Sequence, residues 1–142
     1  MAGAHDEGYG LVRLGDAGLT LEDPAQDIRG REVYDESGEE IGRVEDLYAD
    51  EEERKVRFLD VRAGGFLGVG EKHFQIPVEA VSEVGEGRIT VEPNREKVLG
   101  SPPLDAKVVP RARYQREVRE HYRDFPHIPS GLEAVGRTFL AA

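Results

Sequence analysis

Apolar residues recur along this chain in short β-branched or aromatic runs, separated by turns rich in Gly, Asp, Glu and Pro. From Arg31 onward that rhythm predicts an all-β domain. Val33-Tyr34-Asp35 runs into Glu36-Ser37-Gly38-Glu39, where Gly38 can take a positive φ, and Ile41 opens the return strand of a hairpin. The next stretch breaks strict alternation. Ile41, Val44, Leu47 and Tyr48 stand three and four residues apart, a spacing that also suits a helix face. Gly42, the short reach and the tight turn before it favour a strand with a bulge near Gly42.

Asp50 to Arg54 forms a charged turn before Lys55 to Arg62, whose Phe58, Leu59 and Val61 put apolar groups on both faces and predict an inner strand. His73 to Pro77 is a further strand, with Pro77 marking an edge or a strand end. Ala80 to Val84 and Arg88 to Val91 are joined by Gly85-Glu86-Gly87, a hairpin turn by composition. That makes five or six short strands, with Phe58, Leu59, Val61, Ile76 and Ile89 as core candidates.

Outside the strands, Asn94 to Gly100 has a capping residue first and a terminating glycine last, which predicts one or two helical turns halted by Ser101-Pro102-Pro103. Arg111 to Asp124 is the longer helical candidate, with Tyr114, Val118 and Tyr122 along one stripe and arginines around it. Pro126 and Pro129 end it. Residues 1 to 8 read as loose, Tyr9 to Leu14 as a short strand before turns at Gly15 and Gly18, and Leu19 and Leu21 as docking residues. Residues 132–142 read as disordered or as a short docked tail. The expected organisation is a lead-in over 1–24, a domain over 25–106 and a basic helical extension over 107–142.

Charge divides the chain. Its 142 residues carry a net charge of -10, yet residues 1–106 sum to -13 and residues 107–125 to +3. An acidic body repels phosphate backbones, so nucleic acid is disfavoured as its partner. With no cysteine, disulfides, thiolate metal sites and cysteine nucleophiles drop out. Neither a run of about 18 apolar residues nor the pattern of a signal peptide is visible, so the expectation is a cytoplasmic chain without a membrane span.

Candidate chemistry is thin. The glycine loop Gly64 to Gly70 leads through Lys72 and His73 into a strand rather than a helix, which favours a structural turn over a phosphate cradle. Phe66 and Leu67 at its tip would suit a contact surface. His121, Asp124 and His127 could offer metal ligands, but nothing completes a site, so a solvated helix face is preferred and no metal or cofactor is expected. His5 and His73 read as isolated surface or loop residues. Asp60 stands out because it interrupts an apolar strand, where an unpaired carboxylate is costly. The expectation is a pair with Arg43 or Arg57, or exposure at a rim. No nucleophile elbow or Ser-His-Asp arrangement is visible, so an enzyme is not expected. For the extension, Tyr114, Val118 and Tyr122 should anchor the helix on a β-domain, in cis or in a second subunit, with Arg113, Arg116 and Arg119 supplying charge.

Gly30-Arg31-Glu32-Val33-Tyr34-Asp35 followed by Gly38 to Tyr48 closely resembles the opening hairpin of PRC-barrel domains. Val56 to Val61, the glycine loop, Lys72-His73-Phe74, Ile76 to Val81, Arg88 to Glu92, Glu96-Lys97-Val98 and Ser101-Pro102-Pro103 follow in that family's order. The resemblance spans about residues 28 to 105 and implies a small antiparallel barrel of about six strands that serves in assembly or docking. The function expected is non-enzymatic protein binding or scaffolding, through homo-oligomerisation or an unknown protein partner. The alternatives the family carries are an RNA-processing or ribosome-assembly accessory resembling the maturation factor RimM, or an accessory like the H subunit of photosynthetic reaction centres.

Overall fold

The computed structural model describes residues 11–21, 27–50, 55–64, 70–104, 112–123 and 139–141. In chain order the elements are β1 (Leu11–Arg13), α1 (Leu14–Ala17), β2 (Leu19–Leu21), β3 (Glu32–Asp35), β4 (Glu40–Asp50), β5 (Lys55–Ala63) and β6 (Lys72–Pro77). A single 3-10 turn, Val78–Ala80, leads to β7 (Val81–Val84), β8 (Arg88–Val91), α2 (Arg95–Leu99), β9 (Pro103–Leu104), α3 (Ala112–His121) and β10 (Phe139–Ala141).

The long strand β4 organises the fold. One of its edges pairs with β5 along nearly its whole length, while β3 takes the start of the other edge and β1 the end, at Tyr48 to Asp50. The main sheet runs β7-β8-β3-β4-β5-β6-β9. Three features differ from a small antiparallel barrel of about six strands. The sheet has eight strands counting β1, and β3 and β8 run parallel. Among the described residues it does not close, because β7 and β9 stand at its two ends. Alternation marks which residues form strands, but the sense in which distant strands meet depends on their connections. Pro103, read from sequence only as a stop, lies in β9 opposite Phe74. It occupies the sheet's edge, where a missing N–H breaks no ladder.

Register shifts explain the irregular spacing in β4. Ile41 is passed over between the pairs Val33–Gly42 and Tyr34–Glu40, and Glu45 between Val44–Val61 and Asp46–Asp60. Each extra residue flips the faces that follow, so Ile41, Val44 and Leu47 all reach the apolar core. Gly42 is required for a separate reason: a Cβ there would stand 2.2 Å from the carbonyl oxygen of Arg62.

The core lies on one face of the sheet, with Val33, Val44, Leu47, Leu59, Val61, Ile76, Ile89 and Val98 buried together. Phe58 is also buried, but on the other face, with Leu11, Tyr48, Val118 and Tyr122. Asn94 caps α2 by accepting the Lys97 N–H at 2.8 Å, as its position predicts. The lead-in strand appears as β1, and Leu19 and Leu21 belong to β2, which pairs antiparallel with β10.

The β3–β4 turn is built around Asp35. One carboxylate oxygen accepts from the Ser37 N–H at 3.0 Å, the Ser37 hydroxyl at 2.6 Å and the Glu39 N–H at 2.9 Å. The other accepts from the Arg95 N–H at 3.1 Å, tying the hairpin to the first turn of α2. Led by the Ser37 hydroxyl, these donors hold the Asp35 carboxyl below its ordinary value despite burial.

Candidate functional site

The second face of the sheet carries a row of polar residues. Register places Asp46, Asp60 and Gln75 opposite one another on β4, β5 and β6, next to the row Tyr48, Phe58 and Pro77. Asp60 is only 1% exposed. It accepts from Arg13 Nη2 at 3.0 Å and lies 3.0 Å from His73 Nδ1. Asp46 accepts from the N–H groups of Gly15, at 3.2 and 3.3 Å, and of Leu47, at 2.8 Å. Arg13 reaches Asp46 at 3.6 Å and Arg29 reaches it at 3.8 Å, while Asp27 holds Arg29 through both carboxylate oxygens. Gly15 permits this approach, since a Cβ would stand 2.8 Å from Asp46 Oδ2.

Burial pushes the Asp60 carboxyl above its ordinary value, and Asp46 adds to this, while the hydrogen bond from His73 and the charges of His73 and Arg13 offset it only in part. For Asp27 the balance reverses: burial is the largest single influence, yet the hydrogen bonds and charge of Arg29 hold the carboxyl low. Gln75 is fully buried, and neither atom of its side-chain amide has a hydrogen-bond partner among the described residues.

Helix α3 covers this face next to the polar row. Val118 and Tyr122 are buried against Tyr48, Phe58 and Leu11, with Tyr114 half-buried beside them. The Tyr114 hydroxyl donates to the Pro102 carbonyl at 2.7 Å, and His121 Nε2 lies 2.7 Å from the Lys97 carbonyl, which it can reach only as a donor. Burial raises both tyrosine hydroxyls, that of Tyr122 to about 12. Arg119 stacks 4.9 Å from the Phe58 ring centroid and lies 3.5 Å from Glu79. The apolar stripe of α3 thus packs in cis. Its outer face carries Arg113, Arg116, Glu117, Glu120 and Arg123 in solvent, with the Arg113 side chain 85% exposed.

Sequence and structure part company at several positions. Asp60 is not at a rim, nor paired with Arg43, which instead donates to the Gly30 carbonyl at 2.7 Å. Nor is its partner Arg57: its partners come from β1 and β6. His73, read as isolated, is one of those partners, and His121, read as solvated, joins α3 to α2. Phe66, Leu67, Asp124 and His127 lie outside the described residues. Sequence reasoning passed over Arg13, Asp46 and Gln75, because their meeting depends on β1 returning to β4 and on the shift at Glu45. The available signal was a second aspartate, Asp46, within a strand run.

No described helix is long and apolar enough to cross a membrane. A search of curated proteins found no match. The family model for the PRC-barrel domain matches residues 22–98, which run from before β3 into α2 and take in Asp27, Arg29, Asp46, Asp60, His73 and Gln75, while Arg13 and α3 lie outside the match. The chain therefore belongs to the PRC-barrel domain family.

Proposed function

We propose that this chain is a non-enzymatic docking module that binds an acidic protein surface through the outer face of α3, with a second copy of the chain as its first partner. The observation that carries this reading is how α3 is used. Its apolar stripe is taken up by the chain's own sheet, while Arg113, Arg116 and Arg123 remain exposed on a protein of net charge -10. A docked face with three arginines against two glutamates, on an otherwise acidic molecule, favours contact with an acidic surface by electrostatic complementarity. Membership of the PRC-barrel family supports a role in protein interaction. The titratable groups drawn together beneath the surface, Asp46, Asp60 and His73, are engaged with Arg13, Arg29 and backbone N–H groups, which suits a structural layer better than an acid–base site.

Sedimentation velocity of the wild type and of an Arg113→Glu/Arg116→Glu variant tests the proposal. The expected outcome is self-association in the wild type and a one-chain species in the variant, with closely similar melting temperatures because both arginines are exposed and the Arg113–Glu117 pair is a surface one. A wild type that remains one chain at every concentration overturns self-association. An RNA mobility shift abolished by the same variant would replace the protein partner with RNA.

A further inference from the structure

The hairpin tip between β3 and β4 carries Glu36, Glu39 and Glu40, all exposed. Several other exposed or half-exposed acids have cationic neighbours: Glu32 has Arg43, Glu45 and Glu71 share Arg62, and Glu117 and Glu120 have Arg113 and Arg123; Glu83, Glu86 and Glu96 are exposed without an ion pair among the described residues, but no three of them share one turn. The three tip glutamates form no ion pair among the described residues, and none meets an α3 arginine within the chain. Three carboxylates within five residues, with no ion-pair partner among the described residues, make a compact anionic knob.

The knob is also held in one shape. Asp35 fixes the turn through the Ser37 and Glu39 donors and anchors it to α2 through the Arg95 N–H, and Gly38 takes the positive φ of 91° that the turn needs. Charges on a fixed turn lose little freedom on docking, unlike charges on a loose loop. Helix α3 is fixed as well, pinned by Tyr114 to the Pro102 carbonyl and by His121 to the Lys97 carbonyl.

We infer that the acidic surface bound by α3 is the β3–β4 hairpin tip of a second copy, with Glu36, Glu39 and Glu40 of one chain facing Arg113 and Arg116 of the other. This rests on the docking reading above and names the surface that completes it. Two such contacts related by a two-fold axis would form together, giving a closed dimer instead of an open chain. Each is an exposed charge contact, so association should weaken steeply with salt.

Charge exchange tests this directly. One variant carries Arg113→Glu/Arg116→Glu, the other Glu36→Arg/Glu39→Arg/Glu40→Arg, and each is followed by sedimentation velocity alone and in equimolar mixture. Every altered side chain is exposed, the turn's hydrogen bonds use the Glu39 backbone, and the Arg113–Glu117 pair lost in the first variant is a surface one, so both variants should melt close to the wild type. The expected result is a one-chain mass for each variant alone, and a two-chain mass for the mixture approaching wild-type affinity. If hairpin reversal leaves wild-type association intact while α3 reversal abolishes it, α3 docks elsewhere: the inference falls and the docking reading stands. Association that survives both reversals, or a wild type that never associates, overturns both. A mixture that stays at one-chain mass overturns the pairing of these two surfaces.

Discussion

Asp35 and Asp60 are almost equally hidden, at 2% and 1% exposure, yet their surroundings shift their carboxyl groups in opposite directions. Asp35 lies in a turn whose backbone N–H groups and Ser37 hydroxyl converge on it, so ionisation is welcome. Asp60 lies under the second face of the sheet, where burial outweighs the Arg13 and His73 contacts and a neighbouring Asp46 adds repulsion. Low exposure alone therefore does not tell whether a carboxylate holds a fold together; how deeply it lies and the supply of fixed donors do.

The largest effect expected within this contrast comes from Arg13→Met, which keeps the aliphatic stem and removes the cation shared by Asp60 and Asp46. Leaving buried carboxylates without that partner should cost about 3 kcal/mol in denaturant unfolding. Asp35→Ala comes next. It strands the donors of Ser37, Glu39 and Arg95, with an expected loss of about 2 kcal/mol, and loosens the knob so that self-association weakens too. Asp60→Asn should do least: a neutral isostere relieves the buried charge, so the melting temperature at neutral pH should stay level or rise. A strong loss there would show that its ion pairs outweigh burial.

The pH dependences should oppose each other as well. With its carboxyl held low, Asp35 contributes stability that is fully present above its unfolded value, near 3.8, and is lost as pH falls through the lower folded value. With its carboxyl pushed up, Asp60 contributes stability that is fully present below about 3.8 and is lost as pH rises through the higher folded value. Subtracting the stability–pH profile of Asp60→Asn from that of the wild type should give a difference that favours the wild type more as pH falls. A difference that falls with pH would reverse the sign assigned to Asp60.

Local chemistry accounts for how much of this was legible in advance. The hairpin at Gly38, the Asn94 cap, the strand end at Pro77 and the tyrosine stripe of α3 each follow from a few neighbouring residues, and the sequence pointed to all of them. Asp60 was recognisable as unusual because it interrupts an apolar strand. Its partners were not, since Arg13 lies 47 positions away and arrives only because β1 shares an edge of β4 with β3. The parallel pairing of β3 with β8 escaped for the same reason. So did the role of Asp35, whose fourth donor comes from α2, 60 positions along.

On the proposed function, basic α3 on an acidic body should make this chain associate through charge. The most direct test is the sedimentation-derived mass of the wild type across an ionic-strength series at fixed concentration. A two-chain species at about 0.05 M salt should separate into single chains by about 0.5 M, where charges are screened over a few ångströms. A single-chain mass throughout, or a two-chain mass indifferent to salt, would contradict it.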